Sequence, residues 1–291
     1  MLLDEECKGC LYNSQLKKVE RQSGADGRFE QFKNGVKLLC AAPPENYCAP
    51  LLMRDIDRLH RKIYGCGIDY SNERRLFNGK LLAMEKQIFS KVCACDDPLR
   101  EAVKFAMAAN YIDFARLPDL DEGAVDTVVK AAERANPDEQ TLCLLKSKLK
   151  TAKSLCVLHD NCGEIVLDKN LIRVILRQYP HIFVNSVVRG SDIINDVTRA
   201  DAEFINLSEF SRVIDNGTDV PGTYLKQINR DTARLLSESD VIISKGLGNL
   251  ETLYGEGYSA FYMFTCKCEH ISQRFDAEIM SAQLIYEEGN L

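Results

Sequence analysis

From residue 154 onward, short apolar runs alternate with amphipathic stretches, and few folds accommodate that rhythm. Residues 154–158, 182–188, 212–214, 241–244 and 260–265 read as strands, while 164–178, 195–204 and 224–238 between them read as helices. Strands joined through helices cannot pair as tight hairpins. They lie parallel, with helices covering both faces. The expected fold class is α/β: a mostly parallel, Rossmann-like, three-layer α/β/α sheet domain over residues 151–291. Residues 1–150 carry apolar side chains at helical spacing, few β-branched runs, and Pro/Gly breaks near Pro43, Gly65, Pro98 and Pro118. Helices are predicted over 9–22, 29–39, 50–64, 72–92, 98–113, 122–135 and 137–150, as an N-terminal α-helical cap subdomain spanning 1–150. Asp97-Pro98 and Asn136-Pro137 each place a capping residue before a first-turn proline.

Composition narrows the function classes. With 37 Lys+Arg against 43 Asp+Glu, the net charge is −6, which suits neither nucleic acid nor any extended polyphosphate. No run of 18 apolar residues is present, so no membrane span is expected. The opening MLLDEECKGC has no basic or apolar leader segment, which predicts a cytoplasmic chain whose 12 cysteines are reduced thiols. Four histidines are too few for a histidine-built site.

In open α/β sheets ligands sit beyond the carboxyl ends of the strands, and those ends are polar here. Asp160-Asn161-Cys162-Gly163-Glu164 follows the first strand. Arg189-Gly190-Ser191-Asp192 and then Asn195-Asp196 follow the second, and Asp215-Asn216-Gly217 the third. Lys245-Gly246-Leu247-Gly248-Asn249 follows the fourth, and Cys266-Lys267-Cys268-Glu269 the fifth. Carboxylate and amide oxygens suit Mg²⁺ or Mn²⁺. Lysine and arginine suit phosphate oxygens, and glycine lets backbone approach an anion. A metal with phosphate-binding cations is what phosphoryl transfer to water requires. Each cluster alone also reads as a helix cap or a glycine turn; the series of five on one edge is the stronger signal.

The stretches LHDNCGEIVLDKNLI, VVRGSDIINDVTRADA, RVIDNGTDVPGT, SDVIISKGLGNLETL and FTCKCEHI resemble the metal-dependent damage-control phosphatase family, and ECKGC, APLLMRDIDRLHRKIYG and AVKFAMAANYIDFA resemble the helical half of its prokaryotic branch. The resemblance covers essentially the whole chain. It implies one divalent metal (Mn, Co, Ni or Mg) held by Asp160, Asn161 and Asp196. It also implies phosphate or substrate contacts at Lys245, Gly246, Asn249 and Lys267, with Asn110 and Asp113 facing the site from a helix. Two positions depart from the family pattern: Ala109 stands where glycine is usual before the asparagine, and Leu247 where glutamine is frequent.

The expected activity is hydrolysis of phosphate monoesters of small metabolites (sugar phosphates or damaged phosphometabolites) by metal-activated water, with Asp160, Asn161, Asp196 and Lys245 as the catalytic set. Arg189 stands either as a further phosphate contact or as a structural ion pair, and Glu164 or Asp192 as a supporting carboxylate or base. An aspartyl-phosphate route is disfavoured because Cys162 occupies the position two after Asp160 and cannot act as the acid. Cys7 and Cys10 form half of a metal site, or remain thiols. His159 reads as a packed core histidine. Two other classes stand beside the phosphatase. One is an S-adenosylmethionine-dependent protein carboxyl methyltransferase, weakened by the lack of a G-x-G-x-x-G loop; the other is a non-catalytic metabolite-binding protein. The expected partner is a small phosphorylated metabolite, with no nucleic acid and no membrane; the sequence carries no sign of oligomeric state.

Overall fold

A computed structural model describes residues 1–109, 130 and 132–290. The helical segment contains α1 (Glu5–Ser23), α2 (Gly27–Ala41), α3 (Ala49–Tyr64), α4 (Ser71–Cys93), α5 (Pro98–Ala108) and α6 (Glu139–Thr151). Carboxylate caps start several of them, because the first backbone N–H groups of a helix have no partner within it. Asp4 accepts from Cys7 N at 2.7 Å and Asp97 from Arg100 N at 3.2 Å. The α6 cap is not Asn136 but Asp138, which accepts from Thr141 N at 2.8 Å. Asp138 has a non-helical ψ of 125°, as a cap does, and Glu139 in the first turn suits the helix dipole. Ala109 is buried just beyond α5, while Asn110 and Asp113 lie outside the described residues, as does most of the helix expected over 122–135.

The second half is an alternation of β1 (Ser154–Leu158), α7 (Glu164–Gln178), β2 (Phe183–Val188), α8 (Arg199–Phe204), β3 (Arg212–Asp215), α9 (Arg230–Glu238), β4 (Val241–Lys245), α10 (Gly246–Leu253), β5 (Ala260–Thr265), α11 (Glu269–Phe275) and β6 (Ala282–Glu287). The strand order is β3-β2-β1-β4-β5-β6. The first five strands are parallel, with Leu155 opposite Val184 on one side and Val241 on the other. β6 closes the edge antiparallel, Ala260 opposite Glu287.

Successive residues of each strand enter different cores. Leu155, Val157, Val241, Ile243, Phe261 and Met263 join one apolar cluster. Cys156, Leu158, Ile242, Tyr262 and Phe264 join the other. Period-two side chains that are apolar on both faces require cover on both faces. α4, α5 and α7 supply it on the first, through Phe77, Phe105 and Ile172. α9, α10 and α11 supply it on the second, through Leu236, Leu250 and Ile271. The first cluster runs from Val19 to Leu284, so the helical segment and the sheet share it.

Three elements differ from the expectation. The helix expected over 195–204 begins at Arg199, where Thr198 and Asp201 form a capping box; Asn195 lies in a turn and Asp196 in a bridge to Asn161 instead. The helix expected over 224–238 begins after Asn229, whose side chain caps Thr232 N at 2.9 Å. The glycine-rich stretch after β4, which alone reads as a glycine turn, begins a short helix, and β6 had no sequence expectation. Among the described residues no helix is long and apolar enough to cross a membrane.

Candidate active site

The strand order reverses between β1 and β4, and the crevice beyond their carboxyl ends is where a doubly wound sheet places a ligand. Backbone pairing assembles it. Val197 N donates to the Asp160 carbonyl at 2.8 Å, and Cys162 N to the Asn195 carbonyl at 2.9 Å. Asn161 and Asp196 form an isolated antiparallel bridge. The loops after β1 and β2 are thereby stitched together, which brings Asp160, Asn161 and Asp196 side by side.

Buried side chains then fix their orientation. Arg189, 1% exposed, donates through Nε to Asp196 Oδ2 at 2.6 Å and lies 3.6 Å from Asp160 Oδ1. Its Nη1 also donates to Asn249 Oδ1 at 3.2 Å. From α4, Arg74 donates to the Asp196 carbonyl and the Asp192 carboxylate. The Asn161 amide donates through Nδ2 to Asp160 Oδ2 at 2.8 Å and to Glu164 Oε1 at 2.6 Å. Both carboxyl oxygens accept from the amide nitrogen, so the amide oxygen of Asn161 is turned to the other side.

Beneath this layer, Lys245 donates to Asp168 Oδ1 at 2.6 Å and sits 3.7 Å from Glu164 Oε2. Asp168 Oδ2 is 2.9 Å from His159 Nδ1, and His159 Nε2 is 3.0 Å from Ser186 Oγ. Gly246 follows with φ of 77°, and a Cβ there would stand 1.8 Å from Asp160 Oδ2. Only glycine combines that backbone with that proximity.

The charges are closely balanced and desolvated. Burial pushes the Asp196 carboxyl up to about 7, against the pull of Arg189 and with the added repulsion of Asp160. Burial likewise pushes Glu164 up to about 8, although Lys245 opposes it. Asp168 experiences the same burial, yet Lys245 and His159 outweigh it and hold its carboxyl below the usual range. Burial disfavours the Lys245 ammonium, but Asp168 and Glu164 outweigh that and raise it. Asp160 and Asp196 thus crowd a site where a cation would favour their ionised forms. Two carboxylates and one amide oxygen fit a hard divalent ion. Among the described residues no three His, Cys, Asp or Glu side chains are placed to hold a metal.

A cleft of about 160 Å³ opens over this site. Asp160, Asn161, Asp196 and Lys267 line its sheet side. The other expected site residues sit elsewhere. Lys245, Arg189 and Asn249 are buried behind the lining and take part in the network, with Arg189 Nη2 left without a hydrogen-bond partner. Asn249 ties Lys245 O (2.7 Å) to His159 O (3.0 Å) and receives Thr223 Oγ1 at 2.8 Å. Gly246 supports Asp160 rather than opening onto the cleft. Glu164 belongs to the network; Asp192 is on the surface with Arg74. His159 is a core histidine, 1% exposed.

The opposite wall is made by α1 and α3, through Cys7, Cys10, Gln15 and Met53 among others. Cys7 and Cys10 therefore belong to the cleft, and no third ligating side chain completes a metal set with them among the described residues. None of the 12 cysteines is in a disulfide. Sequence reasoning missed this wall, although positions 7, 10, 11, 14 and 15 have the spacing of one helical face. It also missed Asp168, one turn after Glu164 on the same face of α7, and Arg74, for which no local signal exists.

Residues 4–282 match the damage-control phosphatase ARMT1-like domain. A damage-control phosphatase of Pyrococcus horikoshii is 28% identical over 278 residues, 94% of each chain. A damage-control phosphatase of Archaeoglobus fulgidus is 27% identical, over 79% of this chain and 81% of its own. An uncharacterized protein of Methanocaldococcus jannaschii is 29% identical over 62% of this chain, a stretch that spans 60% of that protein. The crystal structure of a DUF89 family protein from Pyrococcus horikoshii superposes with a TM-score of 0.83 at 25% identity, covering 99% of this chain and 100% of the other. With a family match spanning nearly its whole length, this chain belongs to the damage-control phosphatase ARMT1-like family.

Proposed function

We propose that this protein is a metal-dependent phosphatase that hydrolyses phosphate monoesters of small metabolites, in metabolite repair. The observation that carries the reading is the convergence of Asp160, Asn161 and Asp196 at the sheet's switch point, on one cleft with Lys267. A divalent ion at those oxygens would neutralise phosphoryl charge and lower the pKa of a water. The chain's own residues do the rest. Arg189 holds Asp160 and Asp196 in register, and Glu164 turns the Asn161 amide oxygen toward an incoming ligand. Lys245 keeps Glu164 and Asp168 compensated under the site. Lys267, on the cleft wall, is placed to meet phosphate oxygens, as a lysine beside a transferring phosphoryl group does. Lys245 is thus read as a positioning residue and Lys267 as the phosphate contact. α1 and α3 narrow the cleft to a small leaving group.

The substrate class is tested by phosphate release from sugar phosphates, p-nitrophenyl phosphate, a phosphodiester and a polyphosphate, in Mg²⁺, Mn²⁺, Co²⁺ or Ni²⁺. Monoester turnover with little release from the other two is the expected result. Preferential cleavage of the diester or the polyphosphate contradicts it.

A further inference from the structure

The wall contributed by α1 contains one polar group with nothing to bind. Gln15 lines the cleft and is 1% exposed, and its Oε1 is buried without a hydrogen-bond partner. Neighbouring polar groups on the same helical face are engaged. Ser14 Oγ donates to the Leu11 carbonyl at 3.2 Å, and Cys10 has a partner of its own. Buried amides are nearly always satisfied, and one left open in a ligand cleft is a receptor for a ligand group. Leu11, Pro50, Met53 and Ile194 supply apolar surface to the same cleft.

We propose that Gln15 reads the leaving group, and that the substrate carries an O–H or N–H donor on the part of the molecule remote from its phosphate. This rests on the phosphatase reading of the cleft. Asp160, Asn161, Asp196 and Lys267 take the phosphoryl end, while Gln15 accepts from the other end across the cleft. A site with a buried polar group discriminates strongly against an analogue lacking its partner, because the group is then left unpaired.

The test compares sn-glycerol 3-phosphate with n-propyl phosphate, which share a chain length and differ in their hydroxyls. Gln15→Met keeps the volume and the helix propensity while removing the amide. In Mn²⁺ the wild type should favour glycerol phosphate by about tenfold or more in kcat/KM. Gln15→Met should lose about that factor on glycerol phosphate and stay within about twofold on propyl phosphate. Equal losses on both esters, or none on either, overturn the proposal. Calorimetric Kd values for the same two esters read Gln15 without turnover. If the wild type binds glycerol phosphate more tightly and the variant does not, Gln15 is the reader even where no phosphate is released, a result that instead sinks the phosphatase reading. An unchanged Kd ratio overturns it. Melting adds a third reading: Gln15→Met should be at least as stable as wild type, and a fall of several degrees would show that the amide has a structural role.

Discussion

A methyl group on Gly246 would stand 1.8 Å from Asp160 Oδ2, on a backbone already at φ of 77°. Gly246→Ala must therefore displace Asp160 or unwind the start of α10. It should destabilise the protein by about 1–3 kcal/mol and reduce turnover far more than that loss of folded protein explains. Urea unfolding beside initial rates checks both. Asp168 gives a pH-dependent counterpart. Lys245 and His159 hold its carboxyl below its ordinary 3.8. A depressed carboxylate contributes stability that is present above the unfolded value and disappears as acid protonates the folded form. Asp168→Asn should thus lose about 3–5 kcal/mol at pH 7, because Lys245 keeps a buried charge with one partner fewer. The gap to wild type should close below pH 3.8. A gap that persists undiminished in acid would show that Asp168 is not the charged partner of Lys245. These contacts were only partly legible. The strand-end residues stood out as DNCGE and KGLGN, whereas the pairing of Lys245 with Asp168 joins residues 77 positions apart.

At the scale of elements, α4 reaches over the sheet to hold the segment that carries Asp196. Arg74 bonds the Asp196 carbonyl and the Asp192 carboxylate, and Asn78 Oδ1 accepts from Gly163 N at 2.6 Å. Arg74→Ala should leave the fold in place and loosen that segment. The metal concentration for half-maximal turnover should rise about 10- to 100-fold, as it does when the supports of metal ligands are removed. An unchanged metal requirement would show that the β2 loop holds its shape without α4. Elements with a strong period were legible. β1, β5 and α7 run over the expected residues because each is uniformly apolar or amphipathic between clear breaks. α8 was expected too early because the sequence from 195 to 204 is continuous in pattern, while a turn at Asn195 and the bridge from Asp196 to Asn161 keep its first residues out of the helix. β6 is mixed in burial and sits on an edge, so it shows no clean alternation.

For the whole molecule, two apolar cores on opposite faces of one sheet make the strand ends a rigid rim, and the first helices close a cleft over it. The alternation after residue 154 specified the sheet, and the residues after each strand specified one side of the cleft. The other side was not legible, since it depends on how α1 and α3 dock, and docking is set by contacts between residues far apart in sequence. Lys245 and Lys267 looked equivalent as lysines at strand ends, and only the fold separates the buried ion pair from the cleft wall.

The central claim is that Asp160, Asn161 and Asp196 hold the ion on which turnover depends. Its most direct test is phosphate release from p-nitrophenyl phosphate by metal-stripped protein, with Mg²⁺, Mn²⁺, Co²⁺ or Ni²⁺ added back, beside an Asp196→Ala variant shown to be folded by circular dichroism. The wild type should be inert when stripped and recover with at least one ion, while the variant stays at least about 10³-fold slower with every ion. Full turnover by the stripped wild type, or metal-dependent turnover by Asp196→Ala at the wild-type rate, would contradict the account.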